Sequence, residues 1–193
     1  DVTLATALTG SGALTKAGGG TLTVTADGSY SGKLTIGAGT FQIGNGGATG
    51  SFAGDIENNS ALVFNRTGSL TYSSVLSGTG TMEKKGAGTL ILARANTLTG
   101  SATVSEGVLQ IGDGGTNGEL NANIANSASV VFARSDDSTY GSVISGSGAV
   151  TKQGAGVLTF SKNQTYTGAT TISEGTLRLG NGGVAGNLSG SVT

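Results

Sequence analysis

Residues 84–98 read Lys84-Lys85-Gly86-Ala87-Gly88-Thr89-Leu90-Ile91-Leu92-Ala93-Arg94-Ala95-Asn96-Thr97-Leu98, and the run closes on Glu106-Gly107-Val108-Leu109-Gln110-Ile111-Gly112. A 68-residue shift in either direction, with nothing inserted, brings up the same skeleton: Lys16/Lys84/Lys152, Gly18/Gly86/Gly154, Leu22/Leu90/Leu158, Gly39/Gly107/Gly175 and Gly44/Gly112/Gly180. The register extends outward to Ile56/Ile124/Val192, Phe64/Phe132, Arg66/Arg134 and Tyr72/Tyr140. Units therefore run over residues 8–75 and 76–143, with a partial third over 144–193. The whole of 1–193 is expected to be a single repeat domain taken from a longer array.

Within a unit, short runs of period two alternate with Gly, Asn and Asp. Thr21-Leu22-Thr23-Val24-Thr25, Thr40-Phe41-Gln42-Ile43 and Ala61-Leu62-Val63-Phe64 are examples. Such alternation puts every second side chain on one face of a strand. No segment between strands has the length or apolar periodicity of a crossover helix, which rules out doubly wound α/β folds. A sandwich tolerates loops of varied length, whereas a solenoid forbids them, because one added residue displaces every rung above it. Strict spacing thus predicts an all-β parallel β-helix of about eight to nine rungs. A three-sided turn takes roughly 20–25 residues, so the 68-residue unit is expected to be three rungs. On that expectation Leu22/Leu90/Leu158 and Phe41/Leu109/Leu177 stack as interior columns.

Composition agrees. Gly, Ser and Thr make up 45 % of the 193 residues, too many weak helix formers for amphipathic helices. Net charge is -1, so the basic surplus of a nucleic-acid-binding surface is missing and no nucleic-acid partner is expected. Glycine-rich turns such as Gly18-Gly19-Gly20 lack the following helix that makes a phosphate cradle. The chain has no His and no Cys, which excludes Cys/His zinc sites, thiol nucleophiles and a Ser-His-Asp triad within it. The longest apolar runs, such as Leu90-Ile91-Leu92-Ala93, fall far short of the ~20 residues of a spanning helix. Asp1-Val2-Thr3-Leu4 carries no basic region followed by an apolar stretch, so an export signal is expected to lie outside this sequence.

The best-formed copy is Lys152-Gln153-Gly154-Ala155-Gly156-Val157-Leu158-Thr159-Phe160, then Asn163-Gln164-Thr165-Tyr166-Thr167-Gly168-Ala169-Thr170-Thr171-Ile172, then Glu174-Gly175-Thr176-Leu177-Arg178-Leu179-Gly180. From Lys152 to Gly180 it closely resembles the autotransporter-associated β-strand repeat of type V secretion passengers. The copy from Lys84 to Gly112 fits well, and that from Lys16 to Gly44 is more divergent. The resemblance implies a right-handed parallel β-helix that crosses the outer membrane by way of a C-terminal β-barrel of the same precursor. It implies an extracellular place, at the cell surface or secreted.

Candidate chemistry is sparse. Of the carboxylates, only Glu106/Glu174 recur in register, so no acid/base pair is expected and no enzyme. Gly112-Asp113-Gly114-Gly115 has the composition of a calcium loop, but its column is Asn45/Asp113/Asn181, which reads as an Asn/Asp-Gly turn of left-handed geometry at a corner, and no metal or cofactor is expected. Tyr30, Tyr72, Tyr140 and Tyr166 occupy strand-like positions and are expected to be packed or half-buried. Lys16, Lys84 and Lys152, with Arg66 and Arg134, are the candidate interaction columns, a row for a glycan or acidic receptor patch or plain solubilising charge. The function expected is a structural or adhesive stalk that displays or mediates adhesion to a host receptor or glycan and self-association. The alternatives are a filament subunit stacking rung on rung and, further off, a polysaccharide-active β-helix enzyme.

Overall fold

A computed structural model describes residues 1–182 and 185–193. Among them there is no helix; the strands are two to five residues long and every pairing is parallel. The chain winds round one axis and visits three faces in a fixed cyclic order. The first face is an eight-stranded sheet from Val2–Leu4 through Thr21–Val24, Thr40–Ile43, Ala61–Asn65 and Thr81–Lys85 to Ile144–Ser145. The second is six-stranded, from Leu70–Tyr72 through Thr89–Leu92 to Thr170–Ile172. The third begins with six strands, Leu14–Lys16 to Glu119–Leu120, and resumes with three, Ser138–Tyr140, Val157–Phe160 and Thr176–Leu179. The all-β parallel solenoid expected from the sequence is what the chain forms, with about nine turns.

Alternation fills the interior. Strands turn every second side chain inward, as in Ala61–Asn65, where Leu62 and Phe64 are buried between half-exposed neighbours. Register then stacks these residues into ladders: Leu22, Phe41, Leu62, Met82, Ala102 and Ile124 on the first face, and Leu70, Leu90, Leu109, Val130 and Val150 on the second. Small residues suffice because each rung is buried by the rungs above and below it. Phe132, Tyr140 and Phe160 meet edge to face where the bulkier side chains gather, with centroids 5.3–6.0 Å apart.

The same register corrects the three-rung expectation. Val2 pairs with Leu22, Leu22 with Phe41 and Phe41 with Leu62, steps of 20, 19 and 21 in residue number. One turn of the coil therefore takes about 20 residues, at the short end of solenoid repeats. The 68-residue unit winds three and one-third such turns. Repeat mates consequently sit on different faces. Leu22 is on the first face, Leu90 on the second and Leu158 on the third. The same holds for Phe41, Leu109 and Leu177. The unit is a screw operation of one-third of a turn and a rise of roughly 16 Å at ~4.8 Å per rung.

Candidate functional site

The three lysines occupy inward positions at strand ends. Lys84 follows Phe64 and precedes Val104 in a first-face ladder, and Lys152 follows Phe132 in a second-face ladder. Their exposures are 7 % for Lys16 and 2 % for Lys84 and Lys152. Each ammonium turns into its own corner and donates to backbone carbonyls. Lys84 Nζ reaches Lys85 O at 2.8 Å, Gly86 O at 2.6 Å and, in the next rung, Glu106 O at 3.3 Å. Lys16 makes the same set with Ala17, Gly18 and Ala38, and Lys152 with Gln153, Gly154 and Glu174. The carbonyl cluster at a tight corner is thereby neutralised by one buried cation. Removal from water depresses the Lys84 and Lys152 pKa values below the ordinary lysine value, opposed by Glu106 and Glu174 respectively. The lysines form no row: they are buried, and they lie on three faces.

Arg66 and Arg134 are also drawn inward. Arg66 donates to Gly50 O, Ala48 O and, at 3.1 Å, to Asp27 Oδ1. Arg134 donates to Gly118 O at 3.0 Å and makes a forked pair with Asp136 at 2.8 and 2.9 Å. That pair raises the Arg134 pKa and lowers that of Asp136. Each arginine thus grips one glycine-rich loop, residues 44–50 or 112–118. These loops need glycine: Gly112 and Gly118 have φ of +93° and +101°, and a Cβ on Gly118 would lie 2.3 Å from the Gly112 backbone. Asp113 Oδ1 accepts from Gly115 N at 3.1 Å, an Asx turn. Because of the one-third-turn offset, the two loops occupy different corners of the coil.

The remaining candidates separate in the same way. Glu106 and Glu174 are both exposed, at the first-to-second and second-to-third corners. Glu174 shares a shallow polar groove with Asp113, Gln110 and Gln153. Among the described residues no group of three acidic or other metal-ligating side chains converges. Tyr72 and Tyr140 are buried and donate to Gly54 O and Ala122 O across the rung below, at 2.7 and 2.6 Å. Tyr166 is buried against Thr170, while Tyr30 donates to Gly12 O and stacks on Phe52 at 5.6 Å.

Sequence reasoning missed the buried amides. Asn58 and Asn126 are fully buried at strand ends, each donating to a carbonyl of the next rung, Thr81 O or Ala149 O, and accepting a turn N–H. Asn96 and Gln164 bridge rungs likewise. The signal was present, since both pairs obey the 68-residue register, but an amide followed by Asn, Ser or Thr reads first as a surface turn.

What the geometry offers chemically is a rod whose buried polar side chains are turned to its own backbone. Comparison with known proteins places that rod. The model of the passenger-associated-transport-repeat matches three times, over residues 14–43, 82–111 and 150–179. Adhesin BmaC autotransporter of Brucella suis biovar 1 (strain 1330) is 38 % identical over 203 residues, an alignment covering 94 % of this chain and 6 % of that protein. No solved structure matches. Each matched segment opens on the strand that carries the buried corner lysine and ends at the glycine-rich loop. The chain carries three copies of the passenger-associated-transport-repeat, the repeat of autotransporter passengers.

Proposed function

We propose that this chain is a length of the shaft of a surface-exposed autotransporter adhesin, non-enzymatic, which carries adhesive contacts away from the cell that made it. The observation behind this reading is that Lys16, Lys84, Lys152, Arg66 and Arg134 are all engaged with backbone carbonyls inside the rod. These repeat-borne columns therefore build no binding row along one flank. Repeat-borne features march round the axis by a third of a turn per unit, which suits a rod of uniform section more than a flat adhesive face. The likeness to a protein named as an adhesin supports the adhesive setting. The partner proposed is a β-barrel translocator in the same precursor, and the place is outside the cell.

Sequential rung addition fits this role. Every rung pairs with one about 20 residues away, so a chain emerging from a pore closes each new turn on the last by short loops. The test is to excise one whole unit, residues 76–143, from the full passenger and to score surface display and adherence to host cells. A shaft predicts both retained, because the cut joins matching positions of the coil. Display retained with adherence abolished would put the adhesive contact in the excised unit and overturn the reading.

A further inference from the structure

One junction between rungs recurs with the register and lacks strand pairing. In the middle unit Asn96 pairs with Leu120, a step of 24 in residue number that takes up the glycine-rich loop. The next strand of that face, Ser138–Tyr140, is not paired to Glu119–Leu120 and starts a new sheet. In the first unit its register mate Leu70–Tyr72 is likewise the edge of a sheet, above residues 51–53, which form no strand. Among the described residues no backbone hydrogen bond joins 51–53 to 70–73. A cleft lies at each place, lined by Phe52, Leu70 and Thr71 or by Leu120, Ser138 and Thr139. The other two faces pass the first junction paired, Gln42 with Val63 and Glu57 with Ser77. They pass the second in the same way, Thr103 with Ala125 and Gln110 with Val131.

Side chains stitch what the backbone leaves open, and the same three bonds do so in both units. Tyr72 Oη donates to Gly54 O at 2.7 Å, Ser74 Oγ to Ala53 O at 2.6 Å, and Val75 N to Asp55 Oδ1 at 2.8 Å. Their mates run from Tyr140 Oη to Ala122 O at 2.6 Å, from Ser142 Oγ to Asn121 O at 2.7 Å and from Val143 N to Asn123 Oδ1 at 3.0 Å. We infer that each such seam is a flexible joint of the rod, one per 68-residue unit. A backbone ladder fixes the rung spacing at ~4.8 Å. A hydroxyl or carboxylate on a rotatable side chain instead follows a widening gap, or lets go and bonds again. The seam face opens while the two paired faces hold, and the rod bends about them as a hinge. The first seam lies on the second face and the other on the third, so the two bends point a third of a turn apart. The coil thus bends in more than one direction with no rung unfolding.

The experiment places pairs of spin-labelled cysteines in the chain, which has none of its own, and reads their distance distributions by double electron–electron resonance. Thr97 and Arg178 are exposed on the third face, four rungs apart with the seam between them. Ile91 and Thr171 span the same rungs on the second face and are linked by unbroken pairing through Gln110, Val131 and Thr151. Both pairs are roughly 19 Å apart at the backbone, at ~4.8 Å per rung. The Thr97/Arg178 distribution is expected to be roughly twofold wider than that of Ile91/Thr171. Tyr140→Phe combined with Ser142→Ala cuts two stitches, and is expected to widen the first distribution further and leave the second unchanged. A seam pair no wider than the control, or no widening in the double variant once circular dichroism shows it folded, would overturn the joint. Neither outcome bears on the shaft role.

Discussion

Replacing Lys84 by Met is the perturbation that asks most about how this rod is held. The side chain keeps nearly the same length and flexibility but loses its ammonium. Three carbonyls, of Lys85, Gly86 and Glu106, then lose their donor at a corner where Lys84 is 2 % exposed. Hydrogen bonds to a buried charged group contribute about 1.5–3 kcal/mol each. Against their loss stands relief from desolvating an ammonium, itself several kcal/mol. The balance is a destabilisation of about 2–4 kcal/mol, or a fall of roughly 5–15 °C in Tm for a chain of this size. Lys85 is the matched control. It is next in the same strand, faces outward with its side chain 45 % exposed, and pairs with Glu83 at 3.2 Å. Lys85→Met is expected to cost less than about 1 kcal/mol. Urea and thermal unfolding followed by circular dichroism read both. A Lys84→Met protein within about 0.5 kcal/mol of the parent, or no worse than Lys85→Met, would refute the corner-clamp reasoning.

Further expectations follow from the same packing. Leu90 is 1 % exposed in the second-face ladder, so Leu90→Asp buries an unpaired charge and is expected to abolish folding and surface display together; normal display would count against the solenoid route to the surface. Alkali sets two effects against each other. Burial lowers the Lys84 pKa, so stability gains as pH rises toward the free lysine value of 10.5, where the unfolded chain holds the extra proton. Burial raises the Tyr72 and Tyr140 pKa values, so stability is lost as pH climbs past the free phenol value of 10.0, where only the unfolded chain ionises. A pH series is expected to show the fall beginning only above about 10 and becoming shallower in Tyr72→Phe. Arg134→Ala removes the donor to Gly118 O and is expected to speed amide exchange over residues 112–118 at least several-fold, with little change over residues 44–50, which Arg66 still holds.

Parity carried much of this into the sequence. Phe41 and Ile43 against Gln42, or Leu34 and Ile36 against Thr35, announce which side chains go inside, and the unbroken spacing announces a coil. The same parity puts Lys84 in step with Met82 and thus inward, but a lysine is read as surface unless its strand is followed to the end. The number of turns per unit was hidden for another reason. A 68-residue self-comparison matches Leu22 to Leu90 without saying how often the chain went round between them. The true neighbours of Leu90 are Leu70 and Leu109, related only by being apolar, because packing asks of a ladder bulk and not identity. Dividing 68 by three gave a plausible rung, and only backbone pairing distinguishes it from a turn of about 20. Buried Asn58 and Asn126 escaped because an amide facing its own backbone looks in sequence like one facing water.

The turn length is open to one direct measurement, helped by a chain that has no cysteine of its own. Thr71 and Ile91 are register partners on the second face, both pointing outward, and neighbouring strands bring Cα atoms to roughly 4.8 Å, within disulfide range. Cysteines at Thr71 and Ile91 are predicted to oxidise readily in the folded protein, and cysteines at Thr71 and Arg94, spaced as a three-rung unit would require, to stay reduced. Preferential bonding of the second pair would contradict the one-third-turn screw on which this account of the rod rests.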